Sequence, residues 1–173
     1  MLADRRLVEK IPRQGYVVRQ LNLTEIHELY DVRLALEAYI MEQVCNKGLD
    51  ETALTAMERH WTQLYEGLPE MVADPVRVDE NFHDTLAAAV GNRAMIEMLR
   101  AIDDRIRFVR MFDITSAERL RATCEQHLEI LEAIRRRDAG KATAALRRNL
   151  EGGRVQAESA VKEALANAHA IYG

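Results

Sequence analysis

Four polar residues of this chain interrupt apolar stripes that otherwise follow helical spacing. One stripe carries Asp79 and His83 at its centre, and two later stripes carry His127 and Asn149. Residues four apart lie above one another on one helix face, so Asp79 and His83 are predicted to point together into a core. Burying such groups costs free energy unless a partner compensates them, and a divalent metal is an effective partner. We interpret the four residues as one polar centre.

The spacing also indicates how the later pair could meet. His127 and Asn149 stand at equal sequence distances from Asp138, which lies in the turn between two predicted helices. In an antiparallel hairpin this puts both side chains at the same height. The resulting nitrogen and oxygen ligand set contains no thiolate, so it favours Zn²⁺ or Ni²⁺, with Mn²⁺ as a further option, over Cu(I) or an iron–sulfur cluster. The alternative interpretation is a buried hydrogen-bonded network without metal.

Two arginines are candidates for binding an anionic ligand. Arg33 enters the apolar face of the first helix, with Glu37 one turn later. A buried guanidinium needs an anion. That anion could be Glu37, in a purely structural pair, or a ligand carboxylate gripped by the planar guanidinium fork. Arg105, which flanks the apolar face of the fourth helix, is the second candidate.

Composition sets the class of protein. The chain has 173 residues and a formal net charge of −4, which argues against a nucleic-acid-binding surface on the domain itself. No run of eighteen apolar residues and no signal peptide are apparent, so we expect a cytoplasmic protein without membrane contact. Cys45 and Cys124 lack metal-binding or redox spacing and are expected to be reduced, buried thiols. His27, His60 and His169 are expected on helix surfaces.

Helical periodicity dominates from residue 21 onward, and an antiparallel, all-α bundle of about six helices is predicted. Turn and capping residues separate the segments. The predicted helices cover about 24–46, 51–67, 75–91 and 92–111, then a fifth from a cap at Thr115 or Ser116 to 137, and a sixth from the turn at 138–140 to about 168.

The first twenty residues follow a different pattern. Two β-prone pieces flank a Pro-Arg-Gln-Gly turn, which predicts a short β-hairpin within 7–19. A lone hairpin is marginal in water, so we interpret it as the remnant of a larger unit. The domain assignment is therefore 1–20 for hairpin and linker and 21–173 for the helical domain.

The motifs resemble the effector-binding FCD domain of FadR-type GntR transcription regulators. The resemblance rests on Arg33-x-x-x-Glu37, on Asp79-x-x-x-His83 followed by Gly91-Asn92, and on the His127 segment with Asp138, and it spans about residues 21–165. It implies a homodimeric helical domain that binds a small carboxylate effector beside a divalent metal. It also implies Asp79, His83 and His127 as metal ligands and a preceding winged helix-turn-helix domain, of which the hairpin resembles the wing.

The sequence departs from the family pattern in two ways, and each departure leads to an expectation about metal or DNA binding. Asn149 stands where the family usually has histidine, and an amide oxygen is a weaker donor than imidazole. The recognition helix is missing, so residues 1–173 are expected to contact DNA only through a domain outside them. The leading hypothesis is a ligand-sensing, non-catalytic module; a metalloenzyme with a site in the bundle core and a purely structural dimerisation module are the alternatives.

Overall fold

The computed structural model describes residues 8–11, 15–18, 23–67, 74–113 and 117–172. These form two short strands and six helices, and helical periodicity predicted the six helices. The elements are β1 (Val8–Ile11), β2 (Gly15–Val18), α1 (Leu23–Lys47), α2 (Glu51–Gly67), α3 (Pro75–Val90), α4 (Arg93–Asp113), α5 (Ala117–Arg135) and α6 (Ala139–Tyr172).

The helices form an all-α bundle organised around α1 and α6. Helix α6 packs against α1, α5 and α4, while α2 covers α5 and α3 packs against α1 and α4. The apolar stripes of all six helices meet in one core, which includes Ile40, Leu86, Ile106 and Leu131. The sequence therefore predicted the fold class of the bundle correctly. None of the described helices is long and apolar enough to cross a membrane.

Short polar side chains start four of the helices, as their sequence positions indicate. The carboxylates of Asp50, Asp74 and Asp138 each accept a hydrogen bond from a backbone N–H three residues later, at 2.9–3.0 Å. Asn92 does the same for α4 at 3.3 Å. These bonds satisfy N–H groups that a helix start leaves without partners. Asp138 is thus the cap of α6, and Gly140, predicted as part of the turn, already lies in the helix.

The turn between α5 and α6 also closes the end of α1. Arg137 has a left-handed backbone, with φ 60°, and its guanidinium donates hydrogen bonds to the backbone oxygens of Cys45 and Asn46. Gly48, with φ 83°, ends α1 beneath this side chain, and a Cβ there would lie 2.3 Å from Arg137 Nη2. Arginines 135–137 stand at the C-terminal end of α5, where cations interact favourably with the helix dipole. The structure adds a specific cross-link to α1 for Arg137.

Strands β1 and β2 pair antiparallel, with Val8 opposite Val18 and Ile11 opposite Gly15. The pairing does not by itself make the strands a wing, because two-stranded antiparallel hairpins occur in many folds. The predicted turn at 12–14 and the predicted caps Thr115 and Ser116 lie outside the described residues. Helix α6 extends to Tyr172, beyond the predicted end near 168, because no proline or glycine interrupts its last turns.

Both cysteines are free thiols in the core, as predicted. Burial raises the pKa of the Cys124 thiol to about 11 and also raises that of Cys45. Protonated buried thiols behave as small apolar side chains. Their role is packing within the bundle.

Candidate metal and effector site

Asp79, His83 and His127 converge inside the bundle and are called the triad below. Helix α3 supplies the first two residues and α5 supplies the third. One ligand atom from each lies within 4.8 Å of the other two, and all three residues are buried. Asp79 Oδ1 is 3.4 Å from His127 Nε2, and Asp79 Oδ2 is 3.6 Å from His83 Nε2. The spacing predicted the shared face of Asp79 and His83, and the interpretation of the polar residues as one centre placed His127 beside them.

The imidazole nitrogens of the triad fit a metal better than they fit a self-contained hydrogen-bond network. His83 Nε2 and both ring nitrogens of His127 are buried and make no hydrogen bond of ordinary length with the described residues, although Asp79 oxygens lie 3.4–3.6 Å from the two Nε2 atoms. A buried polar atom without a partner costs about 1–3 kcal/mol. One nitrogen from each histidine beside a buried carboxylate is the arrangement expected of ligands for a divalent ion. The nitrogen and oxygen donors of the triad therefore fit the divalent metal that the sequence implied.

Aromatic rings fix the orientation of His127. Phe82 stacks on the imidazole, with 3.8 Å between centroids and 14° between planes, and Trp61 meets it edge-on at 4.1 Å. Burial in this apolar surrounding lowers the pKa of His127 to about 3, against the opposing attraction of Asp79. His127 is therefore neutral at physiological pH, the state in which an imidazole binds a metal.

A carboxylate from α1 fixes the orientation of His83. The Nδ1 atom of His83 contacts Glu37 Oε2, so the Nε2 atom of His83 faces Asp79. Burial alone would lower the pKa of His83, but the carboxylates of Glu37 and Asp79 together outweigh it and raise that pKa to about 9. A carboxylate behind a histidine is the usual support of a metal-binding imidazole, because it fixes the tautomer and makes the free nitrogen more basic.

Arg33 has two carboxylate partners. Its Nε donates to Glu37 Oε1 at 2.6 Å, and its Nη1 lies 3.3 Å from Asp103 Oδ1. Its remaining nitrogen, Nη2, is buried and has no hydrogen-bond partner among the described residues. The structural pair considered from the sequence thus exists, and a free donor also remains. The two interpretations of Arg33 are compatible with each other.

Arg110 of α4 joins Arg33 to the triad. Its Nη2 contacts Asp79 Oδ2, and its Nη1 lies 3.3 Å from the same Asp103 Oδ1 that faces Arg33. The contacts close a buried ring of six side chains from α1, α3 and α4, which we call the charge ring. Its members, in order, are Arg33, Glu37, His83, Asp79, Arg110 and Asp103.

The formal charges of the charge ring balance when His83 is protonated. Two guanidinium groups against three carboxylates leave one negative charge, and the imidazolium of His83 compensates it. Burial raises the pKa of Asp79, but Arg110 and the histidines hold it well below its usual value. Asp79 thus remains ionised at neutral pH, as does Glu37, whose pKa is lowered to about 2 against the effect of burial by His83 and Arg33. A neutral set of buried charges, each with a close partner, is far less costly than an unpaired one.

Asn149 is buried on α6, at the height that the turn-symmetric spacing predicts. Its Nδ2 donates to Gln126 Oε1 at 3.1 Å, and Gln126 is the neighbour of His127. Helices α5 and α6 therefore place positions 126–127 and 149 opposite one another. The amide oxygen of Asn149 is the atom that could serve a metal, and its ligation stays a prediction.

The other residues singled out from the sequence, Arg105 and three histidines, do not join the triad. Arg105 forms a salt bridge with Glu25 near the start of α1. His60 is exposed, as predicted, and His27 is half-buried, with its Nε2 3.4 Å from Glu158. The side chain of His169 lies outside the described part of the chain.

Two members of the charge ring escaped the sequence analysis, namely Asp103 and Arg110. They are seven residues apart on α4, which places them on one face of the helix. That spacing was a usable signal. Charged residues are frequent throughout α4, however, and charge alone does not distinguish a buried helix face from a solvated one.

Comparison with known proteins agrees with the resemblance. The model of the FCD domain matches residues 28–152. The HTH-type transcriptional regulator YdhC of Bacillus subtilis is 25% identical over 134 residues, which are 76% of this chain but 59% of that protein. The chain therefore spans less than two thirds of this relative.

Two solved structures share the fold. The metal-free FCD domain of TM0439 superposes with a TM-score of 0.70 at 20% identity, covering 84% of this chain and 99% of that one. A GntR family transcriptional regulator from Pseudomonas syringae pv. tomato gives a TM-score of 0.67 at 17% identity, covering 96% of this chain and 69% of that one. Since the family model matches well over half of the sequence, this chain belongs to the FCD domain family of GntR-type transcription regulators.

Proposed function

We propose that this domain senses a small carboxylate beside a divalent metal and thereby modulates the DNA binding of a homodimeric regulator. The observation that carries the proposal is a set of buried nitrogens that make no hydrogen bond of ordinary length with the described residues: His83 Nε2, both nitrogens of His127 and Arg33 Nη2. A self-contained structural network would pair these atoms internally. An enzyme would need a general base beside the metal position, whereas the buried acidic groups here are engaged by arginine or histidine.

In this proposal the triad holds the metal and Asn149 completes or flanks the ligand set. Zn²⁺ or Ni²⁺ suits the imidazole and carboxylate donors best, and Mn²⁺ follows. The ion would supply positive charge and a position for an anionic oxygen. Glu37 holds His83, and the Phe82 and Trp61 rings hold His127.

Charge balance favours an anionic effector. The charge ring is neutral with His83 protonated, and a divalent ion adds two charges while displacing that one proton. The buried site then carries one net positive charge, which favours the binding of an anion. Arg33 Nη2 is a free guanidinium donor near the triad, suited to hold that carboxylate. Arg105 is engaged by Glu25, so the effector contact is assigned first to Arg33.

The remaining parts of the proposal concern the whole regulator. Helices α1 and α4 expose about half of each of four apolar side chains, Val32, Tyr39, Met98 and Met111, and these supply apolar surface for a second copy of the chain. The paired strands β1 and β2 precede the bundle and suit the wing of a DNA-binding domain. Effector binding would shift the population of dimer arrangements.

Metal analysis combined with ligand titration tests the proposal. We expect about one divalent ion per chain, its loss in His127→Ala, and stabilisation by small organic acids that depends on added metal. Retention of the ion at the wild-type level in His127→Ala would contradict the triad assignment. His60→Ala, an exposed histidine on α2, is the matched control and should leave metal content unchanged.

Arg33 variants test the effector contact separately. Arg33→Ala should weaken carboxylate binding by about 1.5–3 kcal/mol, the range for hydrogen bonds to charged groups. Metal content should stay nearly intact, because Arg33 does not belong to the triad. Arg33→Lys should restore little, since a point charge does not reproduce the planar fork. Equal affinities of wild type and Arg33→Ala would leave Arg33 a structural partner of Glu37.

A further inference from the structure

Asp103 is the carboxylate of the charge ring with the loosest contacts. Its Oδ1 lies 3.3 Å from a nitrogen of Arg33 and 3.3 Å from a nitrogen of Arg110, whereas the Arg33–Glu37 bond measures 2.6 Å. Its side chain is 10% exposed, more than the 2–6% of the other members. Of the three carboxylates it is the one that an entering anion could displace most cheaply.

Asp103 also stands where an external carboxylate would be bound best. One oxygen of Asp103 serves two buried guanidinium groups, which is the role a ligand carboxylate would take between them. Beside it, Arg33 Nη2 is buried without a hydrogen-bond partner among the described residues. An anion at this position could therefore accept from Arg33 Nη2 as well as from the two nitrogens that Asp103 contacts.

Resting on the proposed carboxylate sensing, we infer that Asp103 is an internal competitor of the effector, and that the effector carboxylate displaces it from Arg33 and Arg110. The exchange replaces an anion of the chain by an external one, so the pairing of the arginines is preserved. The exchange also breaks the salt bridge between α1 and α4, because Arg33 belongs to α1 and Asp103 to α4. Loss of that salt bridge would couple effector binding to the relative placement of α1 and α4.

Titration of the metal-loaded chain with acetate tests the inference. Asp103→Asn removes the competing charge and keeps the side-chain shape, so it should bind acetate about ten- to a hundredfold more tightly, as expected from losing a charged hydrogen-bond partner. Asp84→Asn is the matched control. It makes the same substitution in a more exposed pair with Arg100, at 3.0 Å, and should leave the acetate affinity unchanged.

Thermal unfolding supplies a readout that a purely structural role would not produce. Without acetate, Asp103→Asn should lower the melting temperature, because two buried guanidinium groups lose the negative charge of their shared acceptor. Acetate should then raise the melting temperature of Asp103→Asn more than that of wild type. If Asp103→Asn does not fold, Asp103→Ser, which leaves room for acetate, is judged by the same two measurements.

The outcomes separate this inference from the proposed function. If Arg33→Ala weakens acetate binding while Asp103→Asn leaves it unchanged or weaker, Asp103 is a fixed counter-ion. The competitor role is then overturned and carboxylate sensing stands. If neither wild type nor any variant binds acetate, the competitor role and the assigned effector class both fail.

Discussion

The phenyl ring of Phe82 lies nearly parallel on the imidazole of His127, with 3.8 Å between the ring centroids. Phe82 is buried on α3, and its neighbour in sequence, His83, belongs to the triad. One turn of α3 therefore supplies both a ligand candidate and the surface that positions another. The stack couples core packing to the geometry of the site.

Phe82→Leu should weaken metal binding as well as stability. Losing the ring should cost about 1 kcal/mol of unfolding free energy, a common size for a single core substitution, and the imidazole of His127 would lose its flat support. Metal affinity from chelator competition and the melting temperature of the metal-free protein are the two measurements. Leu54→Ala, a core change on α2, should lower only the melting temperature. Unchanged metal affinity in Phe82→Leu would show that the stack does not position the ligand.

Glu37→Gln should reduce metal affinity by about 10- to 100-fold when measured above pH 9, the usual cost of losing the group that supports a metal-binding histidine. Near neutral pH the loss should be smaller, because Glu37 also raises the pKa of His83 to about 9 and so favours the competing proton. Chelator competition at both pH values is the measurement. Glu42→Gln, exposed on the same helix, is the control. A loss that does not depend on pH would refute the charge coupling between Glu37 and His83.

Metal binding should release about one proton per ion at neutral pH. His83, with its pKa raised to about 9 chiefly by Glu37 against the effect of burial, starts protonated and must become neutral to bind. His127, with its pKa lowered to about 3 by burial, contributes no proton. Apparent affinity should therefore fall about tenfold for each pH unit below 9. Calorimetry in buffers of different ionisation enthalpy measures the release, and heats independent of the buffer would contradict it.

Asn149→His should tighten metal binding, because imidazole is a better donor than an amide oxygen for Zn²⁺ or Ni²⁺. The position is buried at the height of His127, across the α5–α6 interface. Chelator competition against wild type decides the outcome. Gln126→His, at the position that accepts the Asn149 hydrogen bond, tests whether any added imidazole nearby has this effect. Unchanged or weaker binding in Asn149→His would place Asn149 outside the ligand set.

The sequence by itself determined the helical bundle, most helix boundaries and the common face of Asp79 and His83. Apolar periodicity and capping residues such as Asp74 act locally, so they can be recognised without a fold. The same holds for Asp79 and His83, whose spacing within one helix fixes their common face. Positions 127 and 149 are equally far in sequence from Asp138, in the turn between α5 and α6, and this spacing extended the reasoning to Asn149. The structure places Asn149 opposite Gln126.

The tertiary structure alone decided which charges meet. Glu37 appeared from the sequence as a partner of Arg33, yet it also holds His83, 46 residues away. Arg110 and Asp103 enter the site because α4 crosses α1 and α3 at one level. Local patterns report which face of a helix is buried, but the pairing of buried charges depends on the packing angle and height of separate helices, and no periodicity within one segment encodes those.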